Sequence, residues 1–86
     1  MSNGYNGWSN YDTWNVSLWL DNEYALYQHK ICEIRRAELE DIDEWFAERV
    51  TRECLGDSTP DLADFDNVNW EELAEAFREE YIDLHN

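Results

Sequence analysis

The chain is 86 residues long, and its 21 acids against 6 lysines and arginines leave a formal net charge of −15. That length holds one domain, near the lower limit for folding without disulfides or metal. Five tryptophans, five tyrosines and three phenylalanines exclude a disordered chain despite the charge, and the acid excess opposes binding to nucleic acid or an anionic membrane, both of them polyanions.

The first ten residues, MSNGYNGWSN, are rich in Gly, Asn and Ser. They read as a flexible arm over residues 1–10, from which Tyr5 and Trp8 can fold back. Residues 11–86 then form a single acidic helical domain. Asp12 or Thr13 is placed to cap a first helix in which Val16, Trp19 and Leu20 share one stripe and Trp14 and Leu18 a neighbouring one. A strand over residues 13–20 competes, because Trp14, Val16, Leu18 and Leu20 alternate with Asn15 and Ser17. On either reading Trp14, Val16, Leu18 and Leu20 are core, which leaves Trp19 and Asn15 as candidate surface contacts.

Asn22 is placed to cap a second helix carrying Tyr24, Tyr27, Ile31 and Ile34, and no Gly or Pro interrupts the chain before Gly56. That helix either runs on or bends near residues 38–41, where acids cluster. Ile42, Trp45, Phe46, Val50 and Cys54 make the next apolar stripe, with Trp45 and Phe46 both expected in the core. Gly56 suits a helix end. Thr59 and Pro60 open a short turn through Leu62 and Phe65. The last helix starts at Asn69, three residues before Glu72 as in a capping box, and carries Trp70, Leu73, Ala74, Phe77, Tyr81 and Leu84. The fold class is therefore mostly α, a small single-domain bundle of three to five helices; the alternative is α+β with the strand at 13–20.

No catalytic signature is present. His29, Cys32, Cys54 and His85 are zinc-ligand types, but only His29 and Cys32 are close in sequence, whereas a structural site needs a second tight pair. Asp61, Asp64 and Asp66 lack the central Gly and terminal Glu of a calcium loop. The expectation is no enzyme, no metal site and no cofactor. With no signal peptide and no apolar run of spanning length, the chain is expected in the cytoplasm, its thiols reduced.

The acids are more informative. Up to Arg36 there are four; from Ala37 onward there are 17, against Arg49, Arg52 and Arg78. Glu38, Glu40, Asp41, Asp43, Glu44 and Glu48 fall within one helix length. Glu71, Glu75 and Glu79 recur at four-residue intervals, followed by Asp83. Like charges at that spacing weaken a helix, so a surface tuned for stability alone would carry Lys or Arg among them.

Tyr11-x-Thr13-Trp14-Asn15-Val16-x-Leu18-Trp19-Leu20-Asp21-Asn22, followed by Tyr27, and later Val68-Asn69-Trp70-x-Glu72-Leu73-Ala74 resemble motifs of a family of small acidic proteins of unknown function from phages, plasmids and other mobile elements. The resemblance implies a mobile-element context and names no catalytic residue. By analogy of charge and size alone, small acidic phage proteins also include DNA-mimicking inhibitors of restriction and CRISPR systems. The function expected is thus non-enzymatic: binding and inhibition of a basic nucleic-acid-handling host protein, with Glu38, Glu40, Asp41, Asp43, Glu44, Glu48, Glu71, Glu75, Glu79 and Asp83 standing where phosphates would. The competing expectation is a protein-binding adaptor, or a homodimer, that recognises its partner through aromatic residues such as Tyr5, Trp8 and Trp19.

Overall fold

The computed structural model describes residues 5–86. The chain runs through α1 (Tyr11–Asn22), α2 (Tyr24–Arg36), a 3-10 turn (Leu39–Asp41), α3 (Glu44–Leu55), a second 3-10 turn (Phe65–Asn67) and α4 (Trp70–Leu84). This is a small helical domain with no strand among the described residues; the strand alternative for 13–20 is overturned. What decides it is the tertiary setting of Asn15 and Ser17. They alternate with apolar residues in sequence, yet both are buried, so the polar face that a half-buried strand needs does not exist.

The α1 cap also differs from expectation. Asn10 caps the helix, its Oδ1 accepting from the Thr13 backbone N–H at 2.8 Å. Asp12 and Thr13 bind the distant 59–69 loop instead: Asp12 Oδ1 accepts from Asp64 N–H at 3.0 Å, and Thr13 Oγ1 from Asn69 N–H at 2.8 Å. Only Val16 and Leu20 of the four expected core residues in α1 are fully buried; Trp14 and Leu18 are half-buried. Glu23 alone separates α1 from α2, and it is the N-cap residue of α2 in place of Asn22, without a side-chain bond.

α2 touches each of the other three helices. It ends at Ala37 rather than running on, and the acidic 3-10 turn carries the chain to α3. Asp43 starts that helix by accepting from Phe46 N–H at 2.9 Å. α3 and α4 share the largest interface, where Phe46 and Phe77 meet edge-on at 6.3 Å between ring centres. Trp45, expected in the core, is 73% exposed, because α3 turns Phe46, Ala47, Val50 and Thr51 inward. Gly56 closes α3 at φ 77°, where a side chain would be strained.

Leu62 departs from its expected packing as well. It is 82% exposed at φ 66°, at the tip of a turn whose Leu62 N–H donates to Thr59 O, while Ala63, Phe65 and Val68 enter the core. Asn69 caps α4 as expected, accepting from Glu72 N–H at 3.1 Å. The reciprocal half of a capping box is absent: Glu72 Oε1 accepts from Ser9 N–H at 3.0 Å. That bond helps fold residues 5–10 back onto the domain, where Trp8 packs against the core and Tyr5 lies on Tyr11 and Trp14. Residues 1–4 of the expected arm lie outside the described residues.

Candidate functional site

The two acid-rich stretches, 33 residues apart at their starts, are joined through Arg78. One guanidinium nitrogen donates to the Ile42 carbonyl at 2.6 Å, and the other to Glu71 Oε2 at 2.9 Å. The first contact ties α4 to the chain entering α3; the second lies two turns back along α4. Glu38, Glu40, Asp41, Asp43 and Glu44, and Glu71 and Glu75, thus lie on the two segments that Arg78 joins, and all seven are exposed. Glu79 and Asp83 extend the α4 row away from Arg78. Glu48 stands apart, half-buried on α3 and paired with Arg52 at 2.9 Å.

Ion pairing sharpens the asymmetry. Among the described residues, Arg49 and Arg52 serve α2 and α3, pairing with Glu33, Glu53, Glu48 and Asp57, and Lys30 is enclosed between Asp21 and Glu80. Of the ten acids expected to bind a partner, Glu48 and Glu71 have a cation within 4.0 Å, and the other eight have none among the described residues. α4 carries Glu71, Glu72, Glu75, Glu79, Glu80 and Asp83; Glu71 pairs with Arg78 and Glu80 with Lys30, and the other four have no cation among the described residues.

Lys30 is the site that sequence reasoning missed. It is 3% exposed, with its ammonium 2.5 Å from both Asp21 and Glu80 and over the faces of Tyr27 and Phe77 at 5.1 and 5.8 Å. Burial alone would lower its pKa, but the hydrogen bonds and charges of the two carboxylates outweigh that and raise it above the ordinary lysine value. The signal was present in the sequence: Lys30 lies four residues from both Leu26 and Ile34, in the middle of an apolar stripe. Beside it a cleft of about 210 Å³ opens between α1, α2 and α4, lined by Trp8, Leu20, Leu73 and Phe77 and by Glu79 and Asp83.

Asp12, Thr13, Asn15 and Trp19 of the α1 motif hold the 59–69 loop. Asn15, expected as a surface contact, is 1% exposed. Its amide donates to Asp61 at 2.9 Å, and its carbonyl accepts from Thr59 Oγ1 at 2.5 Å. Trp19 is half-buried and donates from Nε1 to the same Asp61 oxygen at 3.0 Å. Bonds from Asn15 and then Trp19 hold the Asp61 carboxyl below the ordinary aspartate pKa. Asp64 is likewise occupied, accepting from Asp66 N–H.

One mixed cluster offers metal-ligand atoms. His29, Glu33 and Glu53 bring one each within 4.8 Å of one another, across α2 and α3. Arg49 already pairs with both glutamates, and His29 Nε2 lies 2.9 Å from Glu53. The His29 bond, ahead of Arg49, lowers the Glu53 pKa against a smaller opposing effect of burial. Both cysteines are free. Burial, with Glu53 beside it, pushes the Cys54 thiol up to about 11, while Cys32 is exposed.

Residues 1–83 match a family described as a family of unknown function (DUF7249). The chain belongs to it. For this DUF7249 member, comparisons with curated proteins and with solved structures return no match, so they assign it no chemistry. Among the described residues no helix is long and apolar enough to cross a membrane.

Proposed function

We propose that the protein is a non-enzymatic inhibitor that binds a basic nucleic-acid-handling protein and occupies its nucleic-acid path. The observation that supports this most is the meeting of two acidic stretches at Arg78, with eight of the ten candidate carboxylates left without a cation partner. Four of the five arginines lie on α2 and α3, which leaves Arg78 alone among the acids of the α3 entrance and α4, an uneven placement that solubility by itself does not require. Such a surface attracts a lysine- and arginine-rich groove and releases the counterions held on both sides. In the mobile-element setting implied by the motif resemblance, the partner is a restriction or CRISPR enzyme of the host cell, met in its cytoplasm.

The test is inhibition of such an enzyme by wild type and by E71K/E75K/E79K. The reading expects inhibition that weakens with added salt and is lost on charge reversal; inhibition unchanged by both would refute it.

A second reading, recognition through an aromatic surface, is favoured by a different residue from those first expected. Trp8 and Trp19 are engaged within the fold, whereas Trp45 stands exposed beside Glu48, Arg49 and Arg52. Trp45→Ala separates the two readings: the adaptor or homodimer loses binding, and the acidic-surface inhibitor keeps it.

A further inference from the structure

α1 is apolar on two sides. Val16 and Leu20 face the core, while Tyr11 and Trp14 lie toward the surface, where Tyr5 folds against them with ring centres 5.3 and 4.8 Å away. The Asn15 amide donates to Tyr11 Oη at 3.4 Å and to Asp61 at 2.9 Å, which sets this aromatic cluster beside the 59–63 turn. Trp19 reaches the same Asp61 oxygen from one turn further along α1. At the tip of the turn Leu62 is 82% exposed, in a left-handed conformation that Asn or Gly adopts at less cost. Neither packing within one chain nor backbone preference calls for a leucine there.

Charge is also sparsest on this face. Of the 21 acids and 6 lysines and arginines, only Asp12 falls between Tyr5 and Leu20. Asp12 and the adjoining Asp61 already accept hydrogen bonds within the fold, from Asp64 N–H and from Asn15 and Trp19. A partner selected by charge therefore finds little to pair with here. A second copy of the chain carries the same −15 and meets the least repulsion here, and a twofold axis sets the patch against itself. Tyr5 at 42%, Tyr11 at 40%, Leu62, and the open edges of Trp14 and Trp19 expose roughly 300–500 Å² of apolar surface. A dimer at the lower end of the usual range buries roughly 600 Å² per partner, about 65% of it apolar, so it needs roughly 400 Å² of such surface. The patch supplies that area.

We infer that two copies of the chain dock through this face, with Leu62 of each against the Tyr11 and Trp14 cluster of the other. Trp45, on α3, and the acids of α4 stay outside the contact. The dimer goes beyond the inhibitor reading and does not depend on it. Its salt response has the opposite sign: like charges oppose the dimer, so added salt strengthens it, whereas a complex with a basic partner weakens.

Sedimentation equilibrium of the full chain at about 5–200 µM, in about 50 and 500 mM NaCl, tests it. The inference expects a dimer whose dissociation constant is micromolar and falls at least about threefold at the higher salt. Leu62→Asp puts a charge on each side of the axis and should leave a monomer. Leu62→Asn suits the left-handed backbone, and should weaken the dimer at least about tenfold without lowering the melting temperature of the dilute chain. Trp45→Ala should dimerise as wild type does, and E71K/E75K/E79K at least as tightly.

A wild type that stays monomeric at the higher salt overturns the inference. So does a dimer that weakens with salt, keeps within about twofold of its affinity in either Leu62 variant, or dissociates on Trp45→Ala. None of these results bears on the inhibitor reading, which is judged by inhibition of the enzyme.

Discussion

Lys30 gives the strictest test of the packing account, because two kinds of substitution there should differ in opposite senses to a simple count of ion pairs. Replacing a buried ion pair by an apolar residue of similar volume is often neutral, whereas removing the partners strands a charge. Lys30→Met leaves Asp21 and Glu80, 53% and 32% exposed, free to hydrate, and should change stability by less than about 1 kcal/mol. D21N/E80Q leaves the ammonium in its apolar setting with neutral partners only. Its cost should be about 2–3 kcal/mol, below the ~3–5 of a fully enclosed pair because both carboxylates already touch water. For a domain of this size the total is about 4–13 kcal/mol, and each kcal/mol moves Tm by about 4–8 °C, so the double variant should melt about 10–20 °C lower. Urea unfolding followed by tryptophan fluorescence measures both. The pH dependence has a definite sign. A raised folded pKa means that the pair's contribution is complete below the ordinary 10.5 and is lost as pH rises through the higher folded value. Wild type should therefore lose stability in that alkaline range relative to Lys30→Met. Equal destabilisation by both substitutions, or a double variant within about 0.5 kcal/mol of wild type, would refute the assignment.

Other outcomes follow from the same structure. Asp61 has a lowered pKa, so its contribution is present above the ordinary 3.8 and disappears as pH falls through the folded value; Asp61→Asn should flatten the acid limb of a stability–pH curve. Trp45→Ala should alter stability by no more than about 0.5 kcal/mol, and Phe46→Ala should cost about 3–5, which checks by urea titration which of the two neighbours faces the core. Cys32 should react with an alkylating reagent well before Cys54, whose thiol is raised to about 11 and lies 3.8 Å from Leu26 O, as read by peptide mass spectrometry.

Helical spacing located the apolar stripes of α2, α3 and α4, and two ends carry chemistry visible in the sequence, Asn69 capping α4 and Gly56 closing α3; the break between α2 and α3 and the Asp43 cap did not show in the pattern. α1 was ambiguous because its inward face includes Thr13, Asn15 and Ser17: Thr13 and Asn15 bind partners more than 40 residues away in the 59–69 loop, which leave no trace in local periodicity, and Ser17 is buried while donating to Trp14 O within the helix. Trp45 was misplaced for a related reason. It and Phe46 are adjacent, so a helix buries one of them, and the identity of that one depends on where the 3-10 turn sets the start of α3. The acids of the candidate surface were visible as runs, but their convergence was not, since Arg78 binds a backbone carbonyl, which any residue at position 42 would supply. Lys30 was visible as a lone cation in an apolar stripe, without its two partners.

The central claim is that the acidic surface joined at Arg78, its one arginine, binds a basic partner electrostatically. Its most direct test is the salt dependence of affinity for a restriction or CRISPR enzyme of the proposed kind, measured between about 50 and 200 mM salt for wild type and for E71K/E75K/E79K. The account predicts a wild-type association constant that falls at least about tenfold over that range and no measurable complex for the reversed variant. An affinity that stays level with salt, or a reversed variant that binds as tightly as wild type, would contradict it.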